Sequence, residues 1–253
     1  MEVHAHTHTE RKRWTHYFWE FLMLFLAVFC GFLAENQREH MVERQRAKVY
    51  ASNLYKELKK DTAQLIDLIK YTSDLAKKYD TLCNLSTGKQ QGVTNGKLYY
   101  YSTVVGSAKY FSSNGSTLEQ LKSSGNLRLL TAEIALYISD YDKQIRNLEA
   151  NYILFKTEYE TINGLYLKIF DGNISVNLFQ NNFHLGKYDE LRDSLFKLNP
   201  PLINDDPRLM KEFIGWVKTE GMFWKLYIPG FLEPLNKKAS ELILLLKKEY
   251  HLE

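Results

Sequence analysis

Between Phe32 and Thr87 the chain carries neither proline nor glycine. Within that stretch Ala47, Ala51, Leu54, Leu58, Asp61, Leu65, Leu68, Thr72, Leu75, Tyr79 and Leu82 recur at alternating spacings of three and four. Such a run can only be a long helix with one buried stripe, because a strand would need alternation at every second residue. The spacing is a heptad, so the helix needs partners of comparable length. Asp61 and Thr72 are polar interruptions of the stripe. The fold class that follows is all-α: an N-terminal transmembrane helix continuing into an antiparallel helical bundle with coiled-coil-like long helices.

The transmembrane part of that reading rests on WTHYFWEFLMLFLAVFCGFLA, Trp14–Ala34. Its uninterrupted apolar run, Phe21–Ala34, is about 21 Å long as a helix, short of a hydrocarbon core of about 30 Å. Extension to Tyr17 gives about 27 Å and places Glu20 near an interface, where its carboxylate can snorkel. The competing role for Glu20 is a buried proton-relay group. Trp14, Tyr17 and Trp19 cluster at the same end, as an interfacial aromatic belt does. Arg11, Lys12 and Arg13 followed by an apolar run also suit a signal peptide. Against cleavage, Phe32 stands where a small residue is wanted before Ala34, and Phe29–Cys30 does not suit a lipoprotein site. The expected division is a His-rich tail over 1–16, a membrane helix over 17–34 and an extramembrane bundle over 35–253. Arg38, Arg44, Arg46 and Lys48 follow the span, so the positive-inside bias is modest. The reading is an inner-membrane protein with its short N-terminus cytoplasmic and its large domain periplasmic.

Two further long stripes complete the bundle. Ile134, Ile138, Tyr141, Ile145, Leu148, Tyr152, Phe155, Tyr159, Ile162, Tyr166 and Ile169 keep the four–three spacing until Asp171-Gly172 stops it. After Pro200 and Pro201, Asp206-Pro207 is a helix start, with Met210, Ile214, Val217, Gly221, Trp224 and Ile228 as its stripe. Pro229 and Pro234 should kink or divide this last region before Leu235, Ala239, Leu242 and Leu246 resume it. Shorter elements are less sharply marked. LYYYSTVV suits strand or helix by pattern, and its helical surroundings favour helix. Ser116 with Glu119 reads as a capping box, and Gly125 as a left-handed helix stop. A short helix is expected around Tyr188–Phe196. In the simplest topology the second long helix returns along the first and the third leads away again. That places Lys89–Leu130 at the distal end and Gly172–Asp206 at the membrane end.

The phrases MEVHAHTHTERKRWTHYFWEFLMLFLAVFCGFLAENQREH, STLEQLKSSGNLRLL and the terminal KKEYHLE together resemble a family of single-pass membrane-anchored proteins of Bacteroidota. The resemblance covers about a quarter of the chain. It implies an inner-membrane anchor with a helical domain, and it supplies no activity and no catalytic residue.

Candidate sites are few. His4, His6 and His8 alternate in the tail, and imidazoles suit zinc, copper or nickel; a polar membrane-proximal tail is the plainer reading. Ala27, Gly31 and Ala34 share one face of the span, where small residues let helices pack closely. Lys122–Arg128 looks slightly like an anion-binding turn, but no G-x-G or GK[ST] pattern supports it. Asp205 and Asp206 read as a cap before a cation site. Cys83 is a buried apolar thiol or an intermolecular disulfide candidate, and Cys30 lies in the span. No G-x-S-x-G, H-E-x-x-H or C-x-x-C occurs, so neither a catalytic residue nor a cofactor is expected. The net charge of +3 is slight and interspersed, which argues against a nucleic-acid partner.

The expected partners are therefore the lipid bilayer and either another protein or a second copy. Two functions stay open on the sequence alone. One is a non-enzymatic interaction or scaffold module. The other is a ligand-sensing periplasmic bundle that signals through a partner protein.

Overall fold

The computed structural model describes residues 14–86, 92–105, 107–174, 176 and 188–252. Every regular element among them is helical. In chain order these are α1 (Trp14–Ser86), α2 (Asn95–Val105), α3 (Ser116–Ser123), α4 (Ala132–Ile169), α5 (Tyr188–Leu198), α6 (Pro207–Tyr227) and α7 (Glu233–Tyr250). A 3-10 turn, Asn126–Leu129, joins α3 to α4, and a π-helical segment, Ile228–Leu232, joins α6 to α7. The chain falls into two units, Met1–Tyr50 and Ala51–Glu253.

In the first unit, α1 is long and apolar enough to cross a membrane, and none of its most apolar window is buried. Phe21, Leu24, Val28 and Phe32 are all more than 60% exposed. A helix that turns large apolar groups outward on every side has no core of its own to face.

In the second unit, every stripe position from Ala51 to Leu82 is buried, including Asp61 and Thr72. The α4 stripe is buried at Ile134, Ile138, Tyr141, Ile145, Leu148, Ile162, Tyr166 and Ile169. Tyr159 is 40% exposed instead, and Leu165 is buried in its neighbourhood. Asp206 caps α6, accepting from the Arg208 N–H at 2.9 Å with Pro207 in the first turn. LYYYSTVV is helical, within α2. Gly125 takes φ +67°, the left-handed turn that its place after α3 requires.

The order of travel differs from the simple up–down–up expectation. Thr117, Asn114 and Ser107 bond to Glu57, Asp61 and Tyr71 respectively, so the segment after α2 runs back down α1. It covers about 21 Å of helix in an extended, strap-like path. The chain therefore begins α4 below the level of Asp61, passes it at Tyr141, which bonds to Asp61 at 2.8 Å, and climbs in the same direction as α1. The returning limb is α6–α7: Phe213 packs on Phe170, Lys225 pairs with Asp80, and Lys238 pairs with Asp140. The bundle is antiparallel, but between α6–α7 and the pair α1 and α4.

One consequence is that the two connections expected at opposite ends meet. Tyr99 of α2 donates to the Pro201 carbonyl at 2.9 Å and accepts from the Asp171 N–H at 2.8 Å. Gly96 sits so close to α5 that a Cβ there would lie 2.2 Å from the Leu195 carbonyl oxygen.

The expected capping box on α3 does not form. Gly115 occupies the cap position without a side-chain bond, and Ser116 lies inside the helix. Glu57 of α1 caps α3 instead, accepting from the Thr117 N–H at 3.1 Å and from the Ser116 and Thr117 hydroxyls. A full carboxylate from a neighbouring helix satisfies the positive helix end better than a local hydroxyl. Glu119 turns outward to Lys122.

Candidate functional site

The sequence-derived candidates divide by location. His4, His6 and His8 lie outside the described residues. Trp14, Tyr17 and Trp19 are exposed at the start of α1, at 81%, 56% and 60%. Glu20 is exposed among them and pairs with His16 one turn back at 3.0 Å. Ala27, Gly31 and Ala34 lie on the exposed apolar helix, and a Cβ at Gly31 would meet nothing within 4 Å.

The Lys122–Arg128 turn is not an open anion site. Lys122 is held between Glu119 at 3.1 Å and Asp142 at 2.9 Å, and Arg146 also pairs with Asp142. These charges line an open groove of about 730 Å³ beside the strap, and its cations are already matched. Among the described residues, no three His, Cys, Asp or Glu side chains are grouped to hold a metal ion.

Two features of the second unit were not marked in advance. The first is the Asp61 node. Its buried carboxylate accepts from the Ser113 hydroxyl at 2.7 Å and from Asn114 N, Asn114 Nδ2 and Tyr141 Oη at 2.8 Å each. Burial and the Asp61 charge both push the Tyr141 phenol up. A carboxylate with four donors is a structural clamp, since no lone pair is left for a ligand or proton transfer.

The second lies where α6 crosses α1. A groove of about 520 Å³ opens there. Tyr79, Asp80, Cys83 and Asn84 line it from α1; Ile214, Lys218, Thr219, Gly221, Met222 and Lys225 line it from α6. Gly221 sets the approach: a Cβ there would stand 2.8 Å from Tyr79 Cβ. Lys225 is tied to Asp80 at 2.7 Å. Lys218 has no ion-pair partner among the described residues. The Cys83 thiol is raised, chiefly by burial and next by Asp80, so it is protonated and a poor nucleophile at neutral pH.

Behind the groove sits Glu220, 4% exposed. Tyr79 bonds to it, and one oxygen accepts from Trp224 Nε1 at 3.4 Å, while Oε2 has no partner among the described residues. Burial is the main cause that lifts this carboxyl to about 7; Glu158 adds to the lift, while Tyr79 and Trp224 oppose it. The α6 stripe named Met210, Ile214 and Ile228, which are only half-buried, and passed over Phe213, Glu220 and Tyr227, which are buried. The signal was present as the four–three run 213, 217, 220, 224 and 227. Glu220 concealed it, because a charged residue is assigned to the surface by default.

No family model, no curated protein and no solved structure matches the chain.

Proposed function

We propose that this chain is a single-pass inner-membrane protein whose helical domain acts as a non-enzymatic interaction or scaffold module. Its N-terminal segment is cytoplasmic and its bundle periplasmic. The sequence phrases that resemble the Bacteroidota membrane-anchored family support the same placement. The observation that carries the reading is α1, a helix that begins with an unburied apolar segment long enough to cross a membrane and runs without a break to Ser86. An exposed apolar segment of that kind supplies an anchor. The second unit also leaves Leu136, Leu244, Leu226, Met222 and Ile66 more than half exposed. A partner that covered several of them together would gain apolar burial.

The test is purification of the native protein from membranes in mild detergent, with sizing by light scattering. Co-purification of a stoichiometric partner, or a defined oligomer, is the expected result. A strictly solitary monomer at native expression would remove the scaffold reading. Resistance to carbonate extraction, with proteolysis of the bundle only from the periplasmic side, is expected in the same membranes.

The second reading, a ligand-sensing bundle that signals through a partner, is favoured by the α1–α6 groove. A ligand there would touch both the anchoring helix and the returning limb. It is a lined cavity in the size range of small-molecule sites.

A further inference from the structure

We propose that the α1–α6 groove is a binding site for a small aromatic carboxylate. The site stands on its lining and holds whether the protein is a scaffold or a sensor. Three observations set the ligand's chemistry. The first is charge: two ammonium groups and one carboxylate line the groove, and Asp80 is already satisfied by Lys225 at 2.7 Å. That leaves Lys218 as a single cation whose charge is unmatched among the described residues. One monoanionic oxygen pair suits it. A phosphate dianion would want a second unmatched cation or a helix N-terminus; Lys225 is tied to Asp80, and α6 begins several residues earlier, at Pro207.

The second is the apolar lining. Tyr79, Cys83, Ile214 and Met222 are the apolar members of the lining. Sulfur and aromatic groups make favourable contacts with a ring, and Met222 can adjust to its edge. The third is rigidity. At Gly221 the backbone of α6 lies against Tyr79, leaving no room for even a methyl group. The crossing therefore holds the groove open at a fixed width, which reduces the ordering cost of binding.

The groove reports its own occupancy through Cys83, which is part-exposed within the lining. Full-length protein carrying Cys30→Ser, in lipid nanodiscs, is treated with N-ethylmaleimide at rising concentrations of 2-naphthoate. Empty discs correct for partitioning of the probe. The expected result is a saturable slowing of Cys83 alkylation of at least about fivefold, with 2-naphthamide roughly tenfold weaker because it lacks the charge. Lys218→Ala should lose the protection while keeping the helical circular dichroism and melting temperature, and Lys218→Arg should restore it.

Equal protection by the amide, or undiminished protection in Lys218→Ala, would overturn the proposal, as would a rate that never saturates. Should Cys83 resist the maleimide, saturation-transfer NMR on 2-naphthoate replaces it. Equal signals from wild type and Lys218→Ala would then be the overturning result. Failure here leaves the partner purification untouched, so the two ideas fall separately.

Discussion

Two buried carboxyl groups behave in opposite ways because of what surrounds them. Asp61 is matched by four donors from the strap and α4. Removing it strands the buried Tyr141 hydroxyl, an orphan that costs about 1–3 kcal/mol, and leaves the part-buried Ser113 and Asn114 donors without their acceptor. Asp61→Ala should therefore destabilise the domain by about 3–5 kcal/mol in urea unfolding. Glu220 is the contrary case: among the described residues its titratable or polar neighbours are Tyr79, Trp224, Tyr110 and Glu158, and none of them is a cation. Its folded pKa of about 7 lies above its ordinary value of 4.5, so the folded state holds the proton more tightly. Stability from this group is full below about pH 4.5, falls as pH rises toward 7, and is level beyond it. The loss amounts to about 3 kcal/mol. Glu220→Gln should match wild type at pH 5 and exceed it at pH 8, flattening the unfolding profile. An unchanged profile would mean that another group carries the titration. Neither role was legible beforehand. Asp61 was visible as a polar break in a stripe, but its partners lie some fifty to eighty residues away, on elements whose packing the stripe does not encode.

At the level of elements, long-period stripes were easy to read and local signals were not. Every α1 stripe residue from Ala51 to Leu82 is buried because a heptad fixes one face irrespective of topology. The α3 cap failed as a local reading because Glu57, far off in sequence, outcompeted Ser116 for the helix end. The two accounts separate under mutation. Glu57→Ala should cost about 1–2 kcal/mol, the usual worth of a lost cap. Glu119→Ala, the member of the local capping box, should change stability by less than about 0.5 kcal/mol, because its carboxylate is exposed and meets only Lys122. Reversal of that order in a denaturation series would restore the local box. The α2–α5 contact gives a sharper case. Gly96→Ala would push a methyl group into the Leu195 carbonyl, a backbone atom that cannot swing aside. The contact must then open, and the cost should reach several kcal/mol, in the range of overpacked core sites.

For the whole molecule, periodicity marked three long apolar faces but carried no information about direction. Direction depends on what the connections do, and the Ser107–Gly115 strap has no repeating pattern to reveal its extended return path. Because it returns, α4 starts below the Asp61 level and climbs past it at Tyr141, and the α6–α7 limb supplies the antiparallel partner. That limb brings Lys225 to Asp80 near the top of α1 and Lys238 to Asp140 near the start of α4. A carbodiimide joins only ammonium and carboxylate groups already in contact, so it reads this geometry directly. Peptide mapping should recover the 80–225 and 140–238 links from one molecule, together with 122–142 from α3. Were α4 to run back along α1 and α6 to lead away from its foot, Asp80 and Lys225 would sit at different heights. The 80–225 link would then be missing while 140–238, which needs only α4 and α7 to be antiparallel, survived. The pair of links therefore distinguishes the two topologies. It also tests the α1–α6 groove, whose walls exist only if the returning limb passes the Tyr79–Cys83 face of α1.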